Sequence, residues 1–307
     1  MSEESSTAPL KGKWIRIASI SVVFVAAFFF LRSLPDAECG FLHYIEIVNA
    51  DGEIELCATN HAGFLDLTAL KYPVEIELKS EPLKVGQTEP VSLFLETSGG
   101  MSMAAHELAV THTEKMHLMV IDPSFEDYHH LHPTPVGLDG RYDFEFTPKK
   151  TGEYRVFAEV VPVMSRRQAI ATNVIEVPGS SEKPTFSLST ESIVDGVHFR
   201  LGDLPDALKV GRDYQFALEV AGADGGPVAL ETVMDAKGHM VAFDAEGRGF
   251  AHMHPIDSIA EARSEETAGG NELSFLFNVP NPGWYRLFAQ IQVDGEAVFG
   301  RFDLEVQ

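Results

Sequence analysis

The chain has 307 residues, of which 46 are acidic and 23 are basic, so its formal net charge is −23. A surface this acidic repels the phosphate backbone of nucleic acids, and no basic stripe offsets it, which excludes DNA and RNA as partners. A hydrophobic content of 45% is ordinary for a globular protein, and the length suffices for about two domains.

The N-terminal region contains the one segment that is apolar enough for a membrane. Between Trp14 and Leu31 only Arg16 is charged, and about 20 apolar residues span a bilayer. Basic residues precede the segment, so the positive-inside rule leaves the N-terminus in the cytoplasm. The residues that follow offer no good small-x-small cleavage site, which favours an uncleaved anchor over the alternative, a cleaved signal. We therefore predict a cytoplasmic N-terminus (1–13), a single-pass anchor in the cytoplasmic membrane (14–34) and a remainder on the periplasmic or extracellular side (36–307).

The two cysteines, Cys39 and Cys57, follow the apolar segment closely. In an oxidising compartment such a pair is most simply a disulfide, and a paired thiolate metal site is the alternative. The stretch YIEIVNADGEIELC between them predicts a β-hairpin that turns at Asp51-Gly52. We assign the exported segment 35–71 to this hairpin and a linker.

After residue 70 the chain consists of short runs that alternate apolar and polar residues, separated by turn residues. Such runs are typical of strands, and their spacing is typical of immunoglobulin-like sandwiches. In the first half they lie at 74–80, 91–97, 115–122, 141–148, 152–161 and 172–177. We predict an all-β protein with two tandem immunoglobulin-like antiparallel β-sandwiches, at 72–178 and 187–307, joined by a linker at 179–186 and preceded by one transmembrane helix.

The two halves of this region repeat each other, which indicates a duplicated domain. GEYRVFAEV (152–160) aligns with GWYRLFAQI (283–291). Their tyrosines, Tyr154 and Tyr285, fall where sandwich folds place a corner tyrosine, which indicates a role in stability. Upstream, a gapless alignment pairs His117 with His239, Tyr128 with Phe250, His130 with His252, His132 with His254 and Pro133 with Pro255.

The same stretches carry a resemblance to a known family. THTEKMHLMVID, DYHHLHP and GEYRVFAEV in the first half, and GHMVAFD, GFAHMHP and GWYRLFAQI in the second, resemble bacterial exported immunoglobulin-like domains of the YtkA-like group. The resemblance covers most of residues 90–307 and leaves residues 1–70 outside it. It implies the sandwich fold, export and a metal-associated, chiefly copper-related, role.

The histidines of the two HxHP steps are candidate metal ligands. Because side chains two residues apart share one face of a strand, His130 and His132 point the same way. If DYHHLHP folds back beside KMHLMVID, His117 approaches this pair across the ladder. Three imidazoles from adjacent strands form a nitrogen-rich set of ligands for copper or zinc. The second half would have a corresponding site, formed by His239, His252 and His254.

A loop upstream of the first site carries softer ligands. ETSGGMSMAAHELAVTHTEKM contains Met101, Met103 and His106, with His112 farther along. Thioethers favour Cu(I), so the two methionines and His106 are candidates to complete the first site. The corresponding loop of the second half, ALETVMDAKGHM, is poorer. We therefore expect the second site to be weaker than the first or only a structural copy of it.

Together these features predict a membrane-anchored exported protein that binds copper, with zinc as the alternative metal. It would buffer the ion or transfer it, by ligand exchange through the methionine loop, to a metal-transport partner. The main alternative is a structural or adhesion module whose histidines only complete the fold. A metal-dependent hydrolase is a second alternative. We expect no enzymatic activity, because neither half shows a carboxylate base matched to its histidines and no phosphate loop, nucleophile elbow or HExxH helix is present.

Overall fold

The computed structural model describes residues 10–32, 44–49, 51–58, 63–68, 71–234, 236–256 and 271–307. Within this described part the only α-helix is α1 (Leu10–Arg32). Its segment Lys13–Arg32 has a mean hydropathy of 2.2 and none of it is buried. By length and composition it suffices to cross a membrane, a description that an anchor and a signal segment both meet. The helix forms a unit of its own, separate from the β-rich remainder.

The predicted hairpin is confirmed: β1 (Tyr44–Val48) pairs antiparallel with β2 (Ile54–Ala58). Its turn contains Gly52 at φ 80°, a left-handed conformation that glycine adopts without strain. Cys57 lies in β2, but its side chain and all of Cys39 are outside the described residues. The disulfide therefore stays a prediction.

The first sandwich consists of two four-stranded antiparallel sheets, with strand orders β4-β5-β9-β8 and β11-β10-β6-β7. A two-residue strand, β3 (Leu65–Asp66), precedes it in the chain. The strands are β4 (Val74–Ser80), β5 (Glu89–Thr97), β6 (Met116–Ile121), β7 (Tyr128–Leu131), β8 (Thr134–Val136), β9 (Arg141–Phe146), β10 (Gly152–Val160) and β11 (Ala169–Val177).

The second sandwich repeats this architecture, with strand orders β12-β13-β14-β17 and β19-β18-β15-β16-β3. The sheet that contains β15 gains β3 as an edge strand, although β3 comes before the first sandwich in sequence. The strands are β12 (Glu191–Val194), β13 (Val197–Gly202), β14 (Tyr214–Gly222), β15 (His239–Asp244), β16 (Gly249–Met253), β17 (Glu272–Phe277), β18 (Gly283–Val293) and β19 (Glu296–Val306).

The corner tyrosines of both sandwiches are confirmed. Each ring is fully buried in the core of its sandwich. The Tyr285 hydroxyl donates to the carbonyl of Asn281 at 2.8 Å. The Tyr154 hydroxyl lies 2.6 Å from Asp127 Oδ2 and accepts from the backbone N–H of Lys150 at 2.9 Å. Both rings thus tie a late strand to the turn four residues before it.

The two sandwiches pack against each other through the sheets that contain β6 and β15. Both strands are buried along their whole length, because one face of each lines its own core and the other face meets the partner sandwich. Tyr128 stacks on Phe288 at 4.8 Å between ring centroids, and Phe157 lies 5.2 Å from Phe250. These two contacts exchange equivalent positions of the repeat, which is the mark of a twofold-related interface.

Candidate metal centre

Strands β6 and β7 bring the first three histidines together. The pleat sends His117 and Met119 to the face of β6 that meets the second sandwich, and Met119 lies opposite His130 of β7. His117 Nδ1 lies 3.3 Å from His130 Nε2. The ring of His132, just past β7, lies 5.1 Å from that of His117 and 4.9 Å from that of His130. One nitrogen of each ring lies within 4.8 Å of the others, so these three, here called the first triad, could hold one metal ion.

Strands β15 and β16 bring the second three histidines together, with the rings of His239 and His252 5.9 Å apart between centroids, and among the described residues only the first triad has its nitrogens within 4.8 Å of one another. Val241 lies opposite His252, as Met119 lies opposite His130. The ring centroid of His254 lies 4.6 Å from that of His239 and 4.7 Å from that of His252. His239, His252 and His254 are called the second triad.

The two triads form one cluster rather than one site per sandwich. The ring centroids of His130 and His252 are 5.1 Å apart, and those of His117 and His252 are 5.5 Å apart. These separations are as short as those inside each triad. From the sequence alone the two sites are expected in separate halves, because a strand pattern does not reveal that the two sandwiches pack on their histidine-bearing faces.

A seventh imidazole, His112, completes what is called the histidine cluster. It lies in a tight turn where the N–H of Thr111 donates to Glu114 O at 2.8 Å, and its φ of 50° is left-handed. Its ring stacks on His254 with centroids 3.7 Å apart. A residue of the first sandwich thus contacts the second triad. Met234, the equivalent residue of the second half, has φ 49° and is buried.

Access to solvent differs across the histidine cluster. His117 and His239 are each 1% exposed, and His130 and His252 are buried as well. The remaining three residues, His112, His132 and His254, are half-buried, although Nε2 of His132 and Nδ1 of His254 are themselves buried. The cluster therefore has a closed inner end and a partly open outer edge.

Burial and crowding disfavour the protonated form of six of the seven rings. Desolvation is the main cause that lowers the pKa of His117 to about 4 and the pKa of His132 to about 3, and repulsion from neighbouring imidazoles adds to it. The same causes lower the pKa of His112 to about 3 and depress the pKa of His130, His239 and His254 as well. Neutral imidazole is the form that binds metal ions.

Two equivalent side chains from opposite sandwiches orient the central rings. Gln290 Oε1 of β18 lies 2.9 Å from His130 Nδ1, and Glu159 Oε2 of β10 lies 3.2 Å from His252 Nδ1. Burial raises the pKa of Glu159, but hydrogen bonds and charge from His252, with help from His117 and Gln168, outweigh it and lower the pKa to about 2. A carboxylate or amide that holds one ring nitrogen directs the other nitrogen toward a metal.

Hydrogen bonding leaves two lone pairs of the first triad facing each other. His117 Nε2 donates to the carbonyl of Thr111 at 2.9 Å, and His130 Nδ1 donates to Gln290 Oε1. Each ring then has its lone pair on the other nitrogen, and these two nitrogens are the ones 3.3 Å apart. In a tetrahedral site with metal–nitrogen bonds of about 2.0 Å, ligand nitrogens lie roughly 3.3 Å apart.

Several other buried ring nitrogens have no hydrogen-bond partner among the described residues. They are Nε2 of His132, both nitrogens of His239, Nε2 of His252 and Nδ1 of His254. A buried polar atom without a partner is costly, so a set of them in one place is a sign of a ligand. Every ring of the second triad contributes to this set.

The methionine loop is placed differently from the triads. Met103 packs in the core of the first sandwich, whereas Met101 is 68% exposed. His106 lies in a short 3-10 turn (Ala105–Glu107) and is exposed. The structure thus brings together all six histidines of the two predicted sites but not the three side chains expected to complete the first one. Glu159 and Gln290 were not predicted as part of the site, and His112, noted in the methionine loop, was not assigned as a ligand.

Two packed sandwiches with a buried histidine cluster between them define a tandem immunoglobulin-like β-sandwich protein. The chain belongs to the family described as Domain of unknown function (DUF8832), which matches it twice, at residues 70–179 and 192–307. A search of the curated proteins found no match.

The search of the solved structures returned matches of low identity and low TM-score. The Escherichia coli adhesin FdeC is 15% identical, with 87% of this chain and 74% of that one covered and a TM-score of 0.24. Invasin, a bacterial integrin-binding protein, is 9% identical over 75% of this chain and 39% of its own, with a TM-score of 0.22. Fibronectin(III)-like modules of Clostridium thermocellum CbhA are 9% identical over 75% of this chain and 94% of theirs, with a TM-score of 0.21.

Proposed function

We propose that this protein binds copper ions in the histidine cluster between its sandwiches, with zinc as the alternative metal. The observation that carries the proposal is the set of buried imidazole nitrogens without partners, beside two lone pairs 3.3 Å apart. Neutral imidazoles suit copper and zinc, and copper binds such nitrogen sites more tightly than other divalent first-row ions. The resemblance to YtkA-like domains also favours copper.

The open edge of the cluster suits reversible binding. His112, His132 and His254 are half-buried, so an ion can exchange ligands there while the inner rings stay covered. We propose that the protein buffers copper or passes it to a metal-transport partner through this edge. If α1 anchors the chain in the cytoplasmic membrane, with residues 36–307 outside, this exchange takes place at the outer face of that membrane.

A purely structural role for the histidines explains less of the geometry. Exchanging the oxygen and nitrogen of the Gln290 side-chain amide would let it donate to His130 Nδ1. His130 Nε2 could then donate to His117 Nδ1, and every nitrogen of these two rings would have a hydrogen-bond partner. This exchange still leaves both buried nitrogens of His239, and Nε2 of His252, without hydrogen-bond partners. An adhesion or scaffold role therefore requires several buried polar atoms that a metal would satisfy.

Hydrolysis is also less well supported than binding. Glu159 is the carboxylate held next to the cluster, but Oε2 faces His252 Nδ1 and Oε1 accepts from Gln168 Nε2 at 2.5 Å. A general base needs a free oxygen within reach of a water molecule. Both oxygens of Glu159 are engaged in orienting other side chains.

Metal content and affinity test the proposal. The full chain, purified in detergent and without an affinity tag, is expected to bind copper with nitrogen hyperfine structure in its Cu(II) paramagnetic resonance spectrum. The double variant His130→Ala, His132→Ala should weaken binding by more than about 100-fold, since even outer partners of metal ligands contribute about 10–100-fold. The double variant of two exposed histidines, His106→Ala and His198→Ala, is the control and should bind as the wild type does. Equal affinity in both double variants would reject the proposal.

A further inference from the structure

The cluster contains more imidazoles than one ion can use. A copper or zinc ion in a protein takes about four ligands, whereas seven rings are packed together here. The first triad has nitrogens within 4.8 Å of one another. The second triad has an unpartnered buried nitrogen on each of its three rings. These are independent signs of a ligand set in each half of the cluster.

Resting on the proposed function, we infer that the cluster is a dinuclear centre that holds two inequivalent ions, one on each triad, and that Glu159 makes the second-triad ion the more tightly bound. This reverses the sequence-based expectation that the second site is the weaker copy.

The two proposed ions lie close together, because rings of one triad are in contact with rings of the other. His252 lies 5.1 Å from His130 and 5.5 Å from His117 between ring centroids, and His112 of the first sandwich stacks on His254. No layer of other side chains separates rings at such distances. Two Cu(II) ions held this closely are expected to interact magnetically instead of giving two independent signals.

The inequivalence comes from a single difference between equivalent positions. In the repeat, Glu159 corresponds to Gln290, and each lies against the central histidine of the opposite sandwich. A carboxylate makes the ring it holds more basic and adds a negative charge near a bound cation, while a neutral amide only orients the ring. Glu159 holds His252 of the second triad, and Gln290 holds His130 of the first.

Copper titration of the full chain in detergent tests both parts. We expect two Cu(II) ions per chain, bound in two resolved steps. The first equivalent should give an isolated Cu(II) spectrum, and the second should bring the spectral changes of a coupled pair, with loss of the isolated signal. His239→Ala should remove one ion, and His117→Ala should remove the other.

Exchange of the two equivalent residues supplies the matched variants. Glu159→Gln is expected to weaken the tighter step by about 10–100-fold, and Gln290→Glu should strengthen the weaker step. Each variant places at one position the residue that the fold already accepts at its equivalent, and circular dichroism checks that both are folded. Because the charge of Glu159 also reaches His117, His117→Ala is combined with Glu159→Gln to show that the loss remains at the second triad.

The outcomes separate this inference from the proposed function. No copper in any sample would overturn both. One ion per chain, lost equally in His117→Ala and His239→Ala, would overturn the dinuclear centre and leave copper binding standing. If two coupled ions bind with the same affinities in Glu159→Gln as in the wild type, the role given to Glu159 is overturned.

Discussion

Packing seven imidazoles into one interface is possible because burial lowers the pKa of His112, His117, His130, His132, His239 and His254, and this has a consequence for stability. In the unfolded chain each of these histidines takes up a proton near pH 6.5. In the folded protein the pKa of His117 is lowered to about 4, and the pKa of His112 and of His132 to about 3. Between the unfolded and folded pKa values the unfolded state binds more protons than the folded state does. The free energy of unfolding therefore falls as the pH falls from about 6.5 toward 4.

We therefore expect the urea midpoint of the metal-free protein to be clearly lower at pH 5 than at pH 7. His132→Gln removes one of the groups that resists protonation, so it should make this pH dependence shallower. Urea unfolding followed by circular dichroism, with a chelator present, measures the effect. His198→Gln, at an exposed site on β13, is the control and should keep the wild-type slope. A His132→Gln profile that is parallel to the wild type across this pH range would contradict the explanation.

Some residues of the site could be predicted from the sequence and others could not. His130 and His132 share a face through strand alternation, and β7 folds back on β6, so the first triad follows from local rules. Glu159 and Gln290 lie two residues after Phe157 and Phe288, so each shares a strand face with that phenylalanine. This spacing was the only sequence signal for their position. Nothing local shows that these faces meet the opposite sandwich, so the residues could not be assigned to the site.

The strands themselves were well determined by the sequence. Val74–Ser80 is a strand over the predicted residues, because its alternating pattern faces one core and solvent. Strand β11 begins at Ala169 instead of residue 172, because its first three residues are buried on both faces and do not alternate. Turns with left-handed residues other than glycine, such as the one at His112, carry no comparable signal.

The corner tyrosines allow a prediction about single elements. Tyr154→Phe removes a hydroxyl that contacts a buried carboxylate, Asp127, and the backbone N–H of Lys150. Tyr285→Phe removes one that, among the described residues, hydrogen-bonds the carbonyl of Asn281 alone. Buried groups that lose a partner cost about 1–3 kcal/mol each, with charged groups at the upper end. We expect the free energy of unfolding to fall by about 2–3 kcal/mol in Tyr154→Phe and by about 1 kcal/mol in Tyr285→Phe.

Urea unfolding of the two variants at neutral pH measures this difference. Each variant is the control for the other, since both lose one hydroxyl from an equivalent, fully buried ring. Equal losses would mean that Asp127 does not depend on the Tyr154 hydroxyl, and that its contacts with Lys149 N and His129 suffice.

At the scale of the whole molecule, a buried arginine joins the two sandwiches. Arg286 of β18 forms a two-pronged ion pair with Asp303, with nitrogen–oxygen distances of 2.7 Å, and both residues are buried. Its Nη1 donates across the interface to the carbonyl of Phe125 at 3.0 Å, and Nη2 donates to Thr185 O between the sandwiches at 2.6 Å. The equivalent Arg155 also reaches the second sandwich, where it lies against Gly247, but its buried Nη1 has no hydrogen-bond partner among the described residues.

Arg286→Ala is expected to lower the free energy of unfolding by about 3–5 kcal/mol, because it leaves the carboxylate of Asp303 buried without its cation. It also removes a tie between the sandwiches, so calorimetry of the metal-free variant should show two separate transitions. Arg301→Ala is the control: Arg301 also reaches across to Glu126, at 3.8 Å, but this exposed ion pair should contribute at most about 1 kcal/mol.

Copper should reverse the separation in Arg286→Ala, since the two triads meet across the interface, with His130 and His252 5.1 Å apart between ring centroids, and each is oriented by Gln290 or Glu159 of the opposite sandwich. An ion that binds only the joined state stabilises it by about 2.7 kcal/mol at a free concentration 100 times its dissociation constant. The two transitions should then move together and to higher temperature on addition of copper, and a chelator should separate them again. If copper binds but the two transitions stay separate, each triad holds its ion without the orienting contact from the opposite sandwich, and the interface would not contribute to the metal site.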